Sequence, residues 1–323
     1  MTGVPAGRRG SILVRRPGLL TTVQDLGRPG LGHLGVPAAG AVDRRAFALA
    51  NRLVGNPPEA AALEITVAGP ELELETGGFL ALTGGRAEAT LDGRPFPMDV
   101  AVRARPGQVL AVGQLTSGLR AYLAVRGGVA VDPVLGSRST DTLAMLGPPP
   151  LASGSRLPLG DQAPGDPFQQ VAPTPRIDPE PLLRAVRGPR DDLFTDDALA
   201  TLLATAWTVS SDSDRTGIRL EGPALERRRQ VELASEGMAE GSLQVPPDGH
   251  PILFLANHPT TGGYPVVAVV AGPDLPLAAQ ARPGTRLRFR FVPVATAREA
   301  AAGPPGQPDP PAGPSTGPRS APG

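Results

Sequence analysis

The chain has 323 residues, 40% of them apolar, enough to fill the cores of two ordinary domains or of one large β-rich one. Its 31 basic and 31 acidic side chains cancel, so no net field draws it to nucleic acid or to anionic lipid. Every basic side chain is arginine and no cysteine is present, which excludes a phosphate-loop lysine, a Schiff base, a lysine carrying biotin or lipoate, a thiol nucleophile, a disulfide and a thiolate zinc site.

Residues 1–10 lack the apolar core of a secretory signal and are expected to be flexible. No run of about 18 apolar residues follows anywhere, which predicts a cytoplasmic protein without a membrane partner. Residues 21–43, "TTVQDLGRPGLGHLGVPAAGAVD", are Gly-rich and irregular. They offer Gln24 and Asp25 as hydrogen-bonding groups and Arg28 as an anion fork, although a connecting loop with Arg28 paired to Asp25 is the simpler reading. A helix is predicted over 43–54, where Ala46, Leu49, Ala50 and Leu53 recur at helical spacing, Asp43 caps the start and Gly55 the end.

Glu64 then falls inside the apolar strand "ALEITVAGP", where a carboxylate is costly without a partner such as an arginine. "ELELE" at 71–75 alternates with period two, and Asp92-Gly93 is the composition of a two-residue hairpin turn. The Pro-rich stretch 161–181 reads as a break, with a first domain over 11–165 and a linker over 166–181.

The second half, 182–294, repeats the pattern with a helix over 195–206 carrying Leu199, Leu202, Leu203 and Ala206 behind a Thr195 cap. "SSDSDRTGIRLEG" supplies Ser213 with Arg215 and Arg219, planar donors four apart that suit an anion or simply a solvated turn. Glu236 and Gln244 follow. In "NHPTTGGYP" the residues Thr260, Thr261, Gly262, Gly263 and Tyr264 form either a tight turn or a backbone cradle for an anion. "RLRFRFV" at 286–292 is a last alternating strand, and the Pro/Gly-rich 295–323 is expected to be a disordered tail. His33, His250 and His258 are the only imidazoles and none is four from another, so no metal centre is expected.

An internal echo ties the halves together. "GPELE" at Gly69 and "GPALE" at Gly222 follow their helix starts by 26 and 27 residues, and "ARPGQVL" and "ARPGTRL" come later in each half. The interval between the two motifs is 35 residues in the first half and 59 in the second, so the second unit carries an insertion of about two dozen residues, and PTTGGYP lies inside that longer interval. The reading is a mainly β chain of two related units, each with one main helix.

In this order, "TTVQDLGRPG", "GAVDRRAFALANRLVGNP", "ALEITVAGP", "YLAVRGG", "GSRSTD", "SSDSDRTGIRLEG", "SEGMAEGSLQVP" and "TTGGYP" resemble the biotin-dependent carboxyltransferase-like family over roughly residues 12–292. The resemblance implies two tandem cyclophilin-like β-barrel domains. It also implies the role of the C-type component in ATP-dependent opening of 5-oxoproline to glutamate by 5-oxoprolinase, alongside a kinase-inhibitor-like B-type component and a barrel-type A component. Alternatives within the family are a regulatory antagonist of a kinase inhibitor and a carboxyltransferase acting on urea or another amide with a separate biotin carrier. ATP is the implied cofactor of the complex, with no covalently attached biotin.

Carried over position by position, the resemblance makes Gln24, Asp25 and Glu236 catalytic candidates. It makes Arg28, Asp43, Glu64, Ser213, Arg215, Arg219, Gln244 and residues 260–264 candidates for binding substrate or nucleotide, with no metal ligand. Where many members have an aspartate and a glutamine before the Thr-Thr-Gly-Gly run, this chain has Asn257 and Pro259.

Overall fold

The computed structural model describes residues 10–161, 163–168, 170–173, 177–229 and 231–302. The chain is mainly β and forms two units that meet along a polar seam.

In the first unit nine strands make one sheet, whose central path runs Leu20–Gln24, Ala62–Thr66, Val109–Val125, Glu71–Leu74, Ser11–Arg16 and Arg156–Pro158. The long strands Gly78–Leu91 and Val109–Val125 pair along most of their length, from Leu80 opposite Val125 to Leu91 opposite Leu110. The register shifts beside Gly84, whose φ of 88° only glycine adopts without strain, and the sheet bends there. Asp92 and Gly93 turn the chain with φ of 51° and 73°, the positive pair of a two-residue hairpin, as their composition predicts.

The second unit closes on itself. Its barrel order is Leu182–Arg187, Val266–Val270, Ser242–Gln244, Ile252–Phe254, Gly217–Glu221, Trp207–Val209 and Arg286–Phe291, and the last strand returns parallel to the first with Leu183 opposite Phe289. No edge is left unpaired around that ring. Trp207, Leu202, Phe289 and Leu253 fill the interior, and Val42 of the first unit joins the same core.

Helix α1, Arg44–Leu53, starts where expected, with Asp43 Oδ1 accepting from Ala46 N at 3.0 Å. Helix α2, Asp196–Ala204, is capped by Thr195 but stops two residues before the predicted end, because Thr205 turns extended to enter the strand Trp207–Val209. Two further helices go beyond the one per unit read from periodicity: α3, Leu275–Ala279, too short to show a stripe, and α4, Val294–Ala302.

Helix α4 corrects the tail expectation over its length. "VATAREAAA" is rich in strong helix formers and lacks the Pro and Gly that follow. The rest of the expected tail, 303–323, and residues 1–9 of the expected flexible N-terminus lie outside the described residues. The stretch read as a linker is bonded to the first unit: Phe168 N donates to Leu53 O at 2.7 Å and Ala172 N to Asp99 O at 2.7 Å. Among the described residues no helix is long and apolar enough to cross a membrane.

Gln280, just after α3, joins the units through both ends of its amide. Its Oε1 accepts from Leu119 N at 3.0 Å and Arg120 N at 3.1 Å, and its Nε2 donates to Asp43 Oδ2 at 2.7 Å and Arg120 O at 2.9 Å. Gln280→Ala leaves these backbone groups without partners, and stability is expected to fall by about 2–4 kcal/mol. Urea titration followed by fluorescence of the single tryptophan, Trp207, measures this as a lower midpoint.

Candidate functional site

The predicted polar residues gather in two places, a buried network at the seam and a more open hairpin on the barrel. The seam network centres on Glu64, which is 1% exposed. The strand Ala62–Thr66 carries it inward, opposite Tyr122 of the strand Val109–Val125. Its Oε1 pairs with Arg215 Nη1 of the second unit and lies 3.7 Å from Arg120 Nε. Its Oε2 accepts from Tyr122 Oη at 2.7 Å and Val42 N at 3.1 Å.

Burial alone would push the Glu64 carboxyl up, but Arg215 and Arg120 hold it below the usual glutamate range. Burial, then the neighbouring Glu64 charge, raises the Tyr122 phenol well above its ordinary value, so it stays a neutral donor. The same hydroxyl accepts from Asp43 N at 2.7 Å. Burial raises the Asp43 carboxyl despite its bonds from Ala46 N and Gln280, and lowers the Arg120 guanidinium.

Arg215 is held by more than Glu64: its Nη2 donates to Gly40 O at 2.5 Å and to Asn257 Oδ1 at 3.1 Å. The spacing in "SDRTGIR" leaves open one shared face for Arg215 and Arg219, and the structure separates them. Asp214 Oδ1 accepts from Thr216 N at 2.7 Å, closing a turn that sends Arg215 inward ahead of the strand, whereas Arg219 lies within the strand Gly217–Glu221 and is exposed. Ser213 supports that turn, its Oγ accepting from Arg219 N at 3.1 Å. Among the described residues the Arg219 guanidinium meets no hydrogen-bond or ion-pair partner.

Asp25 does not pair with Arg28. Its carboxylate fastens the loop 137–139, accepting from Ser137 Oγ at 2.6 Å, Ser139 Oγ at 2.5 Å and Arg138 N at 2.6 Å, with Gly27 N at 2.8 Å. Arg28 instead reaches Ser139 O at 2.6 Å and stands 3.8 Å from Asp141. Gln24 donates to Thr22 Oγ1 at 2.9 Å and Thr140 O at 3.0 Å, while its Oε1 is buried with no partner among the described residues.

The hairpin is separate from the seam network. Glu236–Gly237 pairs with Thr261–Gly262 as a two-stranded ribbon apart from the barrel sheet. Glu236 is tied to Arg190, whose hydrogen bond holds its carboxyl below the usual range. Gln244 donates to Tyr264 O at 3.1 Å beneath the ribbon, and a Cβ on Gly262 would lie 2.5 Å from Gln244 Nε2, which is why glycine stands there. Thr260 is half-buried, and Thr261, Gly263 and Tyr264 are exposed.

Asp141, Asn257, Tyr122, Arg120 and Gln280 belong to the network but were not proposed as site residues from sequence. Asp141 ends "GSRSTD", Asn257 opens "NHPTTGG" and Tyr122 opens "YLAVRGG", so all three lie in motifs quoted above, whereas nothing local distinguishes Arg120 or Gln280. Among the described residues no group of three or more histidine, aspartate or glutamate side chains is arranged to hold a metal ion.

The carboxyltransferase domain family, subdomains A and B, matches residues 34–291. The chain is 38% identical over 281 residues to the C component of 5-oxoprolinase from Escherichia coli, covering 85% of this chain and 89% of that protein. It is 35% identical over 277 residues to the C component of 5-oxoprolinase from Haemophilus influenzae, covering 84% and 88%. Among solved structures, the urea carboxylase of Kluyveromyces lactis superposes with a TM-score of 0.86 at 30% identity over 90% of this chain. The chain spans only 28% of that carboxylase.

Glu64→Ala leaves Arg215 and Arg120 buried without the carboxylate they share and is expected to cost about 3–5 kcal/mol in denaturant titration. The wild-type carboxyl is held below its unfolded value of about 4.3, so its contribution is complete above that pH and is lost as pH falls through the lower folded-state value. Melting temperature against pH in wild type and Glu64→Gln measures this: the acid limb of the variant is expected to be shallower.

Proposed function

The chain belongs to the carboxyltransferase domain family, and on that ground we propose that it is the C component of an ATP-dependent 5-oxoprolinase, part of a hydrolase complex that opens 5-oxoproline to glutamate. The observation that carries this reading is two-way coverage. The 5-oxoprolinase components are matched over 89% and 88% of their own lengths, against 28% of the urea carboxylase.

The chemistry asks for little that this chain lacks. A five-membered lactam resists water, and phosphorylation of its carbonyl oxygen by ATP turns that oxygen into a leaving group. ADP leaves in that transfer; one water then adds to the activated carbon and the ring nitrogen departs with a proton, leaving an acyl phosphate, from which a second water displaces phosphate to give glutamate. Such a site needs fixed donors for a carboxylate and for a phosphate, which arginine, hydroxyl and backbone N–H groups supply without lysine or thiol.

In the buried network at the seam the charges of Glu64, Arg215 and Arg120 are already paired with one another, so its part on this reading is to fix the two units. The Arg215 guanidinium has a protein carboxylate where an anionic ligand would sit. Arg219, exposed and unpaired among the described residues, is the better clamp for a substrate carboxylate. Thr260, Thr261 and Tyr264 on the ribbon are the better-placed hydroxyls, with Glu236 beside them as the proton carrier once Arg190 releases it.

The helix N-termini argue against phosphates at α1 or α2. Asp43 caps the first and Thr195 with Asp196 and Asp197 opens the second, so each already holds negative charge. ATP on this reading is bound in the assembly with a kinase-inhibitor-like B component and a barrel-type A component, in the cytoplasm. A second reading is favoured by the TM-score of 0.86 to the urea carboxylase: a carboxyltransferase acting on urea or another amide with a separate biotin carrier.

The test is reconstitution with the A and B components from the same genome, measuring ADP and glutamate released from 5-oxoproline. Equal release is expected. Gly262→Val, which drives a side chain into Gln244, is expected to lower turnover by about tenfold or more, and Arg219→Ala to raise KM for 5-oxoproline. A complete complex that yields no glutamate, but carboxylates urea when given a biotin carrier and biotin carboxylase, would replace the first reading by the second.

A further inference from the structure

Asn257 is fully buried at the seam, shortly after the strand Ile252–Phe254. Its backbone N donates to Arg215 O at 3.1 Å, and its side-chain Oδ1 accepts from Arg215 Nη2 at 3.1 Å. The other end of the amide faces the first unit, where Nδ2 donates to Asp141 Oδ1 at 2.9 Å and to Thr142 Oγ1 at 3.3 Å. An amide carries an acceptor and a donor side by side, and here each meets the charge that suits it. A carboxylate of the same shape can only accept.

The charged groups around it alternate. Beyond Arg215 stands Glu64, faced also by Arg120 and Tyr122. Beyond Asp141 stands Arg28, with Nη1 and Oδ2 3.8 Å apart and both side chains fully buried. The adjacent His258 ring is engaged elsewhere, with Nδ1 2.8 Å from Pro259 O and the ring 6.5 Å from that of Phe254. The series Glu64, Arg215, Asn257, Asp141, Arg28 therefore crosses from the first unit to the second and back, with two negative and two positive charges and a neutral dipole at its centre.

We infer that Asn257 is a positioning residue whose uncharged amide holds Asp141 of the first unit against Arg215 of the second, and so fixes the loop 141–146 on the seam. That loop is rooted at the same carboxylate: Asp141 Oδ1 also accepts from Leu143 N and Ala144 N at 2.9 Å each. Its tip presents Leu143 and Met145 to solvent, 46% and 82% exposed. The inference is independent of the reaction proposed above, because it concerns only groups of this chain.

The test compares four full-length chains, wild type, Asn257→Asp, Asp141→Asn and the double variant, by melting temperature at about pH 8 and about pH 5. In Asn257→Asp two carboxylates meet where an N–H···O bond stood, and they cannot both ionise. The variant is expected to melt about 5–10 °C below wild type at the higher pH, with most of the gap closed at the lower pH, where the pair shares a proton. Asp141→Asn is expected to lower the melting temperature of wild type, since Arg28 loses the one carboxylate paired with it among the described residues, yet to raise that of Asn257→Asp. This change of sign is the decisive reading, because a role of shape alone would not produce it. A deficit equal at both pH values, or an Asp141→Asn change that lowers both backgrounds, overturns the inference. Should Asn257→Asp not fold by itself, the double variant is expected to fold, and its failure overturns the inference equally.

Discussion

The structure turns on the charge of Glu64. A carboxylate at 1% exposure inside an apolar strand is costly by itself, and among the described residues the first unit offers it Arg120 at 3.7 Å, the Tyr122 hydroxyl and one backbone N–H. The remaining need is met by Arg215, which the second unit supplies. Satisfying one side chain therefore requires the two units to dock in one relative position. A buried pair of this kind fixes register more than it adds net stability, since desolvation opposes the Coulomb gain. Apolar packing agrees with the same arrangement, because Val42, whose N–H donates to Glu64, also lies in the barrel core.

The absence of lysine, most simply a matter of codon usage, has a structural counterpart. Arg28, Arg120, Arg126, Arg215 and Arg282 each donate to backbone carbonyls in loops or at the seam: Arg126 alone holds Val54 O, Gly165 O and Ala163 O at 2.7–3.1 Å. A planar guanidinium presents several fixed donors and so spans two or three chain segments at once, which an ammonium does less well. Loops that composition marks as irregular, such as 21–43, are tied down in this way.

The same economy explains why the loop residues that drew attention as possible catalysts are engaged with their surroundings. Asp25 draws in three donors of the loop 137–139, and Arg28 sits among carbonyl oxygens and Asp141. Glycine-rich sequence signals backbone that must bend, and hydroxyl and carboxylate side chains near it are recruited first to satisfy that backbone. On the barrel, by contrast, Thr261 and Tyr264 remain exposed and the Arg219 guanidinium has no partner among the described residues.

Local features were legible in the amino-acid order alone. Asp43 and Thr195 mark helix starts because their side chains reach N–H groups three residues on, and Asp92-Gly93 marks a hairpin because its φ values suit few other pairs. Period-two runs marked strands, and a buried glutamate announced that a cation must be near. Sequence could not say which cation, because Arg215 is 151 residues from Glu64 and spacing along a chain carries no information about docking. It could not say that the second unit closes by pairing Leu183 with Phe289, since closure depends on strand order rather than on any strand's pattern. Nor could it assign a task to Asn257, whose amide has meaning only once Arg215 and Asp141 stand on either side of it. Tertiary packing settled these points because burial makes charge pairing obligatory, and only the fold determines which groups are buried together.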